Sequence, residues 1–534
     1  MKTRILPIFA LLIFLGCKGP KEIVTVPAPS ISDFMTTINA EGLRADLTVL
    51  AHDSLEGRDT GSEGLKKAAS FLALKYSTLG LKPVGDDGTY FQNFKLNQPI
   101  TESNTYQVIS SSGDLISSTK HNAEEIGNFR TWQAGESGLR GEIVFAGFGA
   151  KNDSVNHYPN NLEDKWVMVF YERANFGELQ EEIAKQEALG AILIMNTDEN
   201  SFIVQAESGK EGFGVPGRMS LAYLESESSP TSSVHMVSPS FAAELLGKDN
   251  LDATWAEIQA NPELFEPVYS GFEFMFEQNI RPNQIQSKNI AAFIEGTDPV
   301  LKDEVVVLSS HFDHVGIGRP DSTGDAIYNG ADDDGSGTVG LLHVAQALVA
   351  AQKAGAGTRR SVLILNVTGE EKGLLGSRYY SDHPIFPIKK TVANLNVDMI
   401  GRRDFENPES GDYIYIIGGK IISSGIDSLL NVANMESVNI ELSDRYNDLN
   451  DPNQFYRRSD HWNFGRLGVP FAFFFNGVHE DYHRPSDEVD KIDFEALTKR
   501  AQLIFMTTAK IANANERPEV DNQEFIEKTR QEPR

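Results

Sequence analysis

The sequence predicts an α/β protein: a mixed, mostly parallel central sheet flanked by helices, with a β-rich domain inserted into it. Three observations carry this. Apolar or β-branched runs at 290–296, 304–310, 361–367, 391–397 and 470–475 alternate with helical patterns such as 339–349 and 421–432. Between about 138 and 267 the texture changes to short strand-like runs, GEIVFAGFGA and DKWVMVFYERA, and a helix–glycine–strand unit, EEIAKQEALGAILIMNTDEN. The length, 534 residues, exceeds one compact domain and implies two or three.

In chain order, Lys2 and Arg4 precede a short apolar run that ends at Cys17, which marks residues 1–16 as a secretory signal. The ending Leu15-Gly16-Cys17 resembles the lipobox of bacterial lipoproteins, which implies acylation of Cys17 after cleavage. Residues 17–32, rich in Pro and Ser, read as a tether. Residues 33–137 hold two amphipathic helical patterns around the loop AHDSLEGRDTGSEG, the second (65–79) stopped by Gly80. The insert is placed at 138–267, the remaining strands and helices at 268–515, and a charged, frayed tail at 516–534.

Composition narrows the function. With 48 Lys+Arg against 76 Asp+Glu the net charge is −28, a surface that repels nucleic acid. Cys17 is the only cysteine, so no intrachain disulfide can form in this exported chain. No run after the leader is long and apolar enough to span a bilayer.

The chemistry gathers between 309 and 487. SSHFDHVG, NGADDDGSG, VTGEEKG, NLNVDMIGR and DYHRPSD place imidazoles and carboxylates just beyond strand-like runs or at a helix start. Ligands of open α/β sheets sit beyond the carboxyl ends of strands. Imidazole mixed with carboxylate, without cysteine, suits a catalytic zinc centre, and the surplus of carboxylates favours a bridged pair of metals.

These five motifs, in this order and with an insert of this kind, resemble the cocatalytic dizinc aminopeptidases and their relatives, the glutamate carboxypeptidases, glutaminyl cyclases and the transferrin receptor ectodomain. The resemblance implies a zinc exopeptidase fold, a protease-associated domain at 138–267 acting as a lid or substrate-side wall, and two Zn2+ per chain. It implies His311 and Asp398 on one zinc, Glu371 and His483 on the other, and Asp333 as the bridge. Sequence alone does not separate Asp333 from Asp332 and Asp334. The resemblance further implies Asp313 behind His311 and Glu370 as general base. Ser459, Asp460 and His461 match a family segment near the substrate pocket.

His314 has no counterpart in the family and reads as a loop residue or a support for the ligands. His343 reads as a packed histidine, His479 as a loop residue, and the acidic run 443–454 as a solvated loop lacking the spacing of a calcium loop. The function expected is an exported, lipid-anchored aminopeptidase of the bacterial cell envelope acting on peptides. A carboxypeptidase or dipeptide-releasing exopeptidase, with a carboxylate pocket drawing on Arg402, Arg457 or Arg458, is the enzymatic alternative. A non-catalytic binding ectodomain is the other.

Overall fold

The computed structural model describes residues 29–224 and 232–530. The signal at 1–16, Cys17 and most of the tether therefore lie outside the described residues. Among the described residues no helix is long and apolar enough to cross a membrane.

Two sheets organise the chain. The larger is mixed, and its centre is four strands in the spatial order Phe471–Phe475, Thr391–Val397, Val305–His311, Ser361–Val367, all parallel. Every residue of these strands is buried, which is why they read as continuous apolar runs rather than alternating ones. The parallel character is confined largely to this centre. Gln284–Ile294 joins Ser361–Val367 antiparallel, as Phe91–Asn97 joins Gln284–Ile294 and Tyr413–Gly418 joins Phe471–Phe475.

The helices Gly337–Lys353, Phe494–Asn513, Glu63–Leu79 and Ala40–Leu50 share one apolar core with the sheet. Each large aliphatic side chain so buried contributes about 1.5–3 kcal/mol. Local signals set their ends: the Asn39 and Ser62 side chains accept from Gly42 N–H and Leu65 N–H, and Gly80 ends the second helix at φ 86°.

The second sheet has eight strands and its own aromatic core, including Tyr106, Phe129, Trp166 and Phe274. It is wider than the interval 138–267. Ile100–Ser110, Leu115–Asn122, Phe129–Gln133 and Val268–Arg281 all belong to it. Their polar faces hid them: Ile100–Ser110 (ITESNTYQVIS) buries Tyr106 and Val108 but intersperses them with Thr, Ser and Asn. One piece of the insert returns to the larger sheet, where Ser220–Leu221 pairs with Asn97 and Leu96.

The tail also departs from expectation. Gln523–Arg530 is helical, and Phe525, 1% exposed, packs against Phe471. Phe525, with the partly buried Val520 and Ile526 beside it, anchors a segment whose composition reads as frayed.

Candidate metal centre

The strand ends deliver the site. His311 closes Val305–His311, Glu370 and Glu371 lie in the turn after Ser361–Val367, and Asp398 follows Thr391–Val397. Asp333 sits in the loop before the helix Gly337–Lys353, and His483 in the loop after Phe471–Phe475.

These side chains converge around Asp333. Its Oδ1 lies 3.2 Å from His311 Nε2, which is itself 3.5 Å from Asp398 Oδ1. Its Oδ2 lies 3.1 Å from His483 Nε2, which is 3.2 Å from Glu371 Oε1. One carboxylate thus faces two donor sets, one with each oxygen.

The neighbouring aspartates are occupied. Asp332 Oδ1 accepts from Gly401 N–H (2.6 Å) and Ser336 Oγ (2.8 Å), and its Oδ2 lies 3.1 Å from His479 Nε2. Asp334 accepts from the N–H groups of Gly337 (2.9 Å), Met399 (3.0 Å) and His311 (3.2 Å). Asp334 lies close enough to His311 and Asp398 to count as a ligand by distance. Its oxygens are already committed to backbone donors, so it is a strut, and Asp333 is the acid left to face the site.

Backbone contacts orient the rest. His311 Nδ1–H donates to the Asp313 carbonyl at 3.0 Å, which turns Nε2 toward Asp333 and Asp398. The Asp313 carboxylate stands 3.8 Å from that Nδ1. It accepts instead from Thr60 Oγ1 (2.8 Å) and Glu370 N–H (3.3 Å), so it steadies the glutamate turn as much as the imidazole. Ser459 Oγ donates to Asp398 Oδ2 at 2.7 Å, and Asn396 Nδ2 donates to Ser459 Oγ at 2.9 Å. Beneath both ligand loops lies Arg58, fully buried. It donates to the carbonyls of Phe312 (2.9 Å), Leu50 (2.8 Å), Asn329 (2.7 Å) and Gly330 (2.9 Å).

Burial, with Glu371 and Asp398 nearby, holds the Glu370 carboxyl well above its ordinary pKa. Burial would also raise Glu371, but His314 and His483 outweigh it and hold this carboxylate down at about 2. Burial opposes charge on His483, yet the carboxylates of Asp333 and Glu371 lift it to about 10. The acids therefore create a field that demands positive charge.

His314 belongs to this cluster, which its place outside the family motif concealed. Its ring is buried, Nδ1 lies 2.9 Å from Glu371 Oε1 and 3.8 Å from Asp333 Oδ2, and neither ring nitrogen has a hydrogen-bond partner. Glu371 Oε1, with His314 Nδ1 at 2.9 Å and His483 Nε2 at 3.2 Å, likewise makes no well-aligned hydrogen bond. Close but poorly aligned imidazole and carboxylate atoms in a buried site suit ligands that share a cation.

The donor set fits divalent cations. Tetrahedral zinc with bonds of about 2.0–2.2 Å spaces its ligand atoms about 3.4 Å apart. The separations above run from 2.9 to 3.8 Å, and His314, Asp333 and Glu371 form one of two donor groups close enough to hold an ion among the described residues. The run 443–454 forms no such group among them; its Asp444 and Asp451 pair with Lys420 and Arg445.

The cluster opens into a pocket walled by Met399, Phe455, Phe473, Phe475 and Tyr482, with Ser459 and Arg458 at its side. Asp460 and His461 do not line it. Burial lifts Asp460 to about 7, and His461 stacks on Phe473 with Nε2 3.1 Å from the Phe455 carbonyl. Arg402 lies elsewhere, 2.9 Å from Asp481. His343 pairs with Asp46 at 3.1 Å.

A mixed α/β sheet whose strand ends gather imidazoles and carboxylates about one bridging acid defines a metallohydrolase-like centre. Residues 289–508 match the family model of peptidase family M28, and this stretch carries all the converging ligands. A probable leucine aminopeptidase of Arthroderma otae is 29% identical over 243 residues, 45% of this chain and 62% of that protein, so the match spans less than two thirds of the relative. Leucine aminopeptidase 2 of the same organism is 25% identical over 392 residues, 68% of this chain and 66% of that protein. Among solved structures, an aminopeptidase from Aneurinibacillus sp. strain AM-1 is 18% identical, with 91% of this chain and 97% of that chain covered and a TM-score of 0.49.

Proposed function

We propose that the protein is a dizinc aminopeptidase that hydrolyses the first peptide bond of peptides. The observation that carries this reading is Asp333, whose two oxygens face the His311–Asp398 pair and the Glu371–His483 pair beside Glu370. In this reading those five residues hold two zinc ions, and His314 adds a donor on the Glu371 side. When bound, the ions supply Lewis-acid activation of water and of the scissile carbonyl. Glu370 takes a proton from the attacking water and delivers it to the amine as the C–N bond breaks. Its raised proton affinity suits that exchange. Asp313 holds the Glu370 backbone N–H, and the Met399–Phe455–Phe475 wall takes an apolar N-terminal side chain.

The leader and Cys17 support an exported protein carried on the envelope by a lipid, and the 100–281 sheet supports a protease-associated wall beside the site.

The test is Glu370→Gln with a peptide mixture and mass-spectrometric identification of the trimmed end. The variant is expected to fold, to retain zinc, and to lose about 10²–10⁴-fold in kcat. Near-normal turnover would remove Glu370 from its role, and trimming from the carboxyl end would replace the aminopeptidase reading by a carboxypeptidase.

A further inference from the structure

Asp487 closes the segment DYHRPSD and is fully buried, yet its carboxylate is spent on backbone. Its Oδ2 accepts from Asp333 N–H at 3.1 Å, and Asp332 N–H donates to Oδ1 and Oδ2 at 3.1 and 3.0 Å. Its main-chain carbonyl accepts from Ala331 N–H at 3.1 Å. One residue thus gathers three successive amides of the loop that presents Asp333. The amide and the β-carbon of Asp333 share one α-carbon, so holding the first fixes where the side chain starts.

The same segment supplies His483, whose Nε2 lies 3.1 Å from Asp333 Oδ2. His483 stands at φ 53°, a conformation disfavoured for a residue with a β-carbon, so its loop must be held by other contacts. Arg484 N–H donates to the Asp481 carbonyl (3.0 Å), Asp487 N–H to the Arg484 carbonyl (3.2 Å), and Ser486 Oγ to Asp481 Oδ1 (2.6 Å). The loop after Asp398 joins through Arg402. Its Nη2 donates to Asp481 Oδ2 at 2.9 Å, and its Nη1, which makes no hydrogen bond, lies 3.9 Å from Asp487 Oδ1 as a counter-charge.

A buried carboxylate is a costly way to hold two amides. It has acceptors for both and no donor to turn against either, and its charge-assisted bonds are roughly twice as strong as neutral ones. The geometry points to Asp487 as a positioning residue of the metal centre, which aims the bridging Asp333 through its backbone and sets its separation from His483. The inference rests on the dizinc reading and adds to it that a residue outside the donor set governs both ions at once, because a displaced bridge reaches both.

The experiment titrates the full-length, metal-free protein with zinc against a chelating dye and reads two affinities for the wild type, Asp487→Asn and Asp487→Glu. Asparagine keeps the size but exchanges an acceptor for a donor, and both affinities are expected to fall about 10–100-fold. Glutamate keeps both acceptors and should lose less. At saturating zinc, kcat of Asp487→Asn on leucine p-nitroanilide should fall with KM unchanged, since the pocket walls are untouched. A merely structural role would lower the stability of the folded variant and leave both affinities where they are, and that result overturns the assignment. So does a loss confined to one ion. If the asparagine variant does not fold, the glutamate variant decides alone: a smaller loss shared by both ions supports the clamp, and unchanged affinities overturn it. Uptake of fewer than two zinc ions by the wild type overturns the dizinc reading beneath it.

Discussion

Replacing His314 by leucine separates two accounts of that residue by its effect with and without zinc. The imidazole is 0% exposed and neither nitrogen makes a well-aligned hydrogen bond; Nε2 has no partner, a burden of about 1–3 kcal/mol, and Nδ1 lies 2.9 Å from Glu371 Oε1. The pocket around it is tight, since a β-carbon on Gly330 would meet His314 Cδ2 at 2.5 Å. Leucine has no polar atom to desolvate, but it gives up the imidazole that helps hold the Glu371 carboxylate down. These effects oppose each other, so the metal-free variant should differ from the wild type by no more than about 1–3 kcal/mol. With zinc a second loss is added. Removing a donor that lies 2.9 Å from Glu371 Oε1 should weaken the ion on that side about 100-fold, or about 2.7 kcal/mol, while the His311–Asp398 side keeps its affinity. Competition titration against a zinc chelator reads both affinities, and thermal melts with and without chelator read the stabilities. Two zinc affinities identical to the wild type would refute the assignment of His314 as a ligand.

Two further outcomes follow from described or inferred features. Burial opposes charge on Asp481, but Lys491, Ser486 and Arg402 outweigh it and hold the carboxylate at about 2. Because this pKa lies below that of the unfolded chain, the stabilisation is present above about pH 4 and is lost as pH falls through about 2. Asp481→Asn should cost about 2 kcal/mol in urea unfolding of the metal-free protein at neutral pH, with a gap that closes toward pH 2; a gap constant with pH would exclude the ion pairs as its source. Cys17→Ser should abolish incorporation of labelled palmitate and move the protein from the membrane pellet to the soluble fraction, and continued sedimentation with membranes would exclude an acyl anchor at that residue.

The central strands were legible because burial on both faces forces continuous apolar runs, as in VVVLSSH and SVLILNV. The insert's outer strands were not, because Ile100–Ser110 and Val268–Arg281 present mixed faces whose apolar residues look isolated until the sheet packs. The tail helix was hidden for a related reason: Phe525 is its only fully buried large apolar residue, and with Ile526 adjacent to it the pair makes no helical period. At the site, residue types and order were readable, but direction was not. Three consecutive aspartates differ only in where the backbone aims each one, and the N–H groups of Gly401, Gly337 and Met399 that occupy Asp332 and Asp334 come from distant chain segments or the following helix. His314 was unreadable as a donor for the same reason, since its place in the cluster depends on the fold of the Asp313–Gly316 loop.

Arg58 ties this chemistry to the order in which the chain can fold. The guanidinium that gathers the carbonyls of Phe312, Asn329 and Gly330 is separated from Phe312 by 254 residues, and the whole second sheet lies in between. Closing so long a loop adds only slowly to the entropic cost of stability, but such distant pairings form late. A fragment beginning at residue 289 would carry all the proposed metal ligands and lack the cation that shapes both ligand loops. Shaping both ligand loops therefore requires residue 58 to have met residues 312, 329 and 330, which couples the site to closure of the chain around the second sheet.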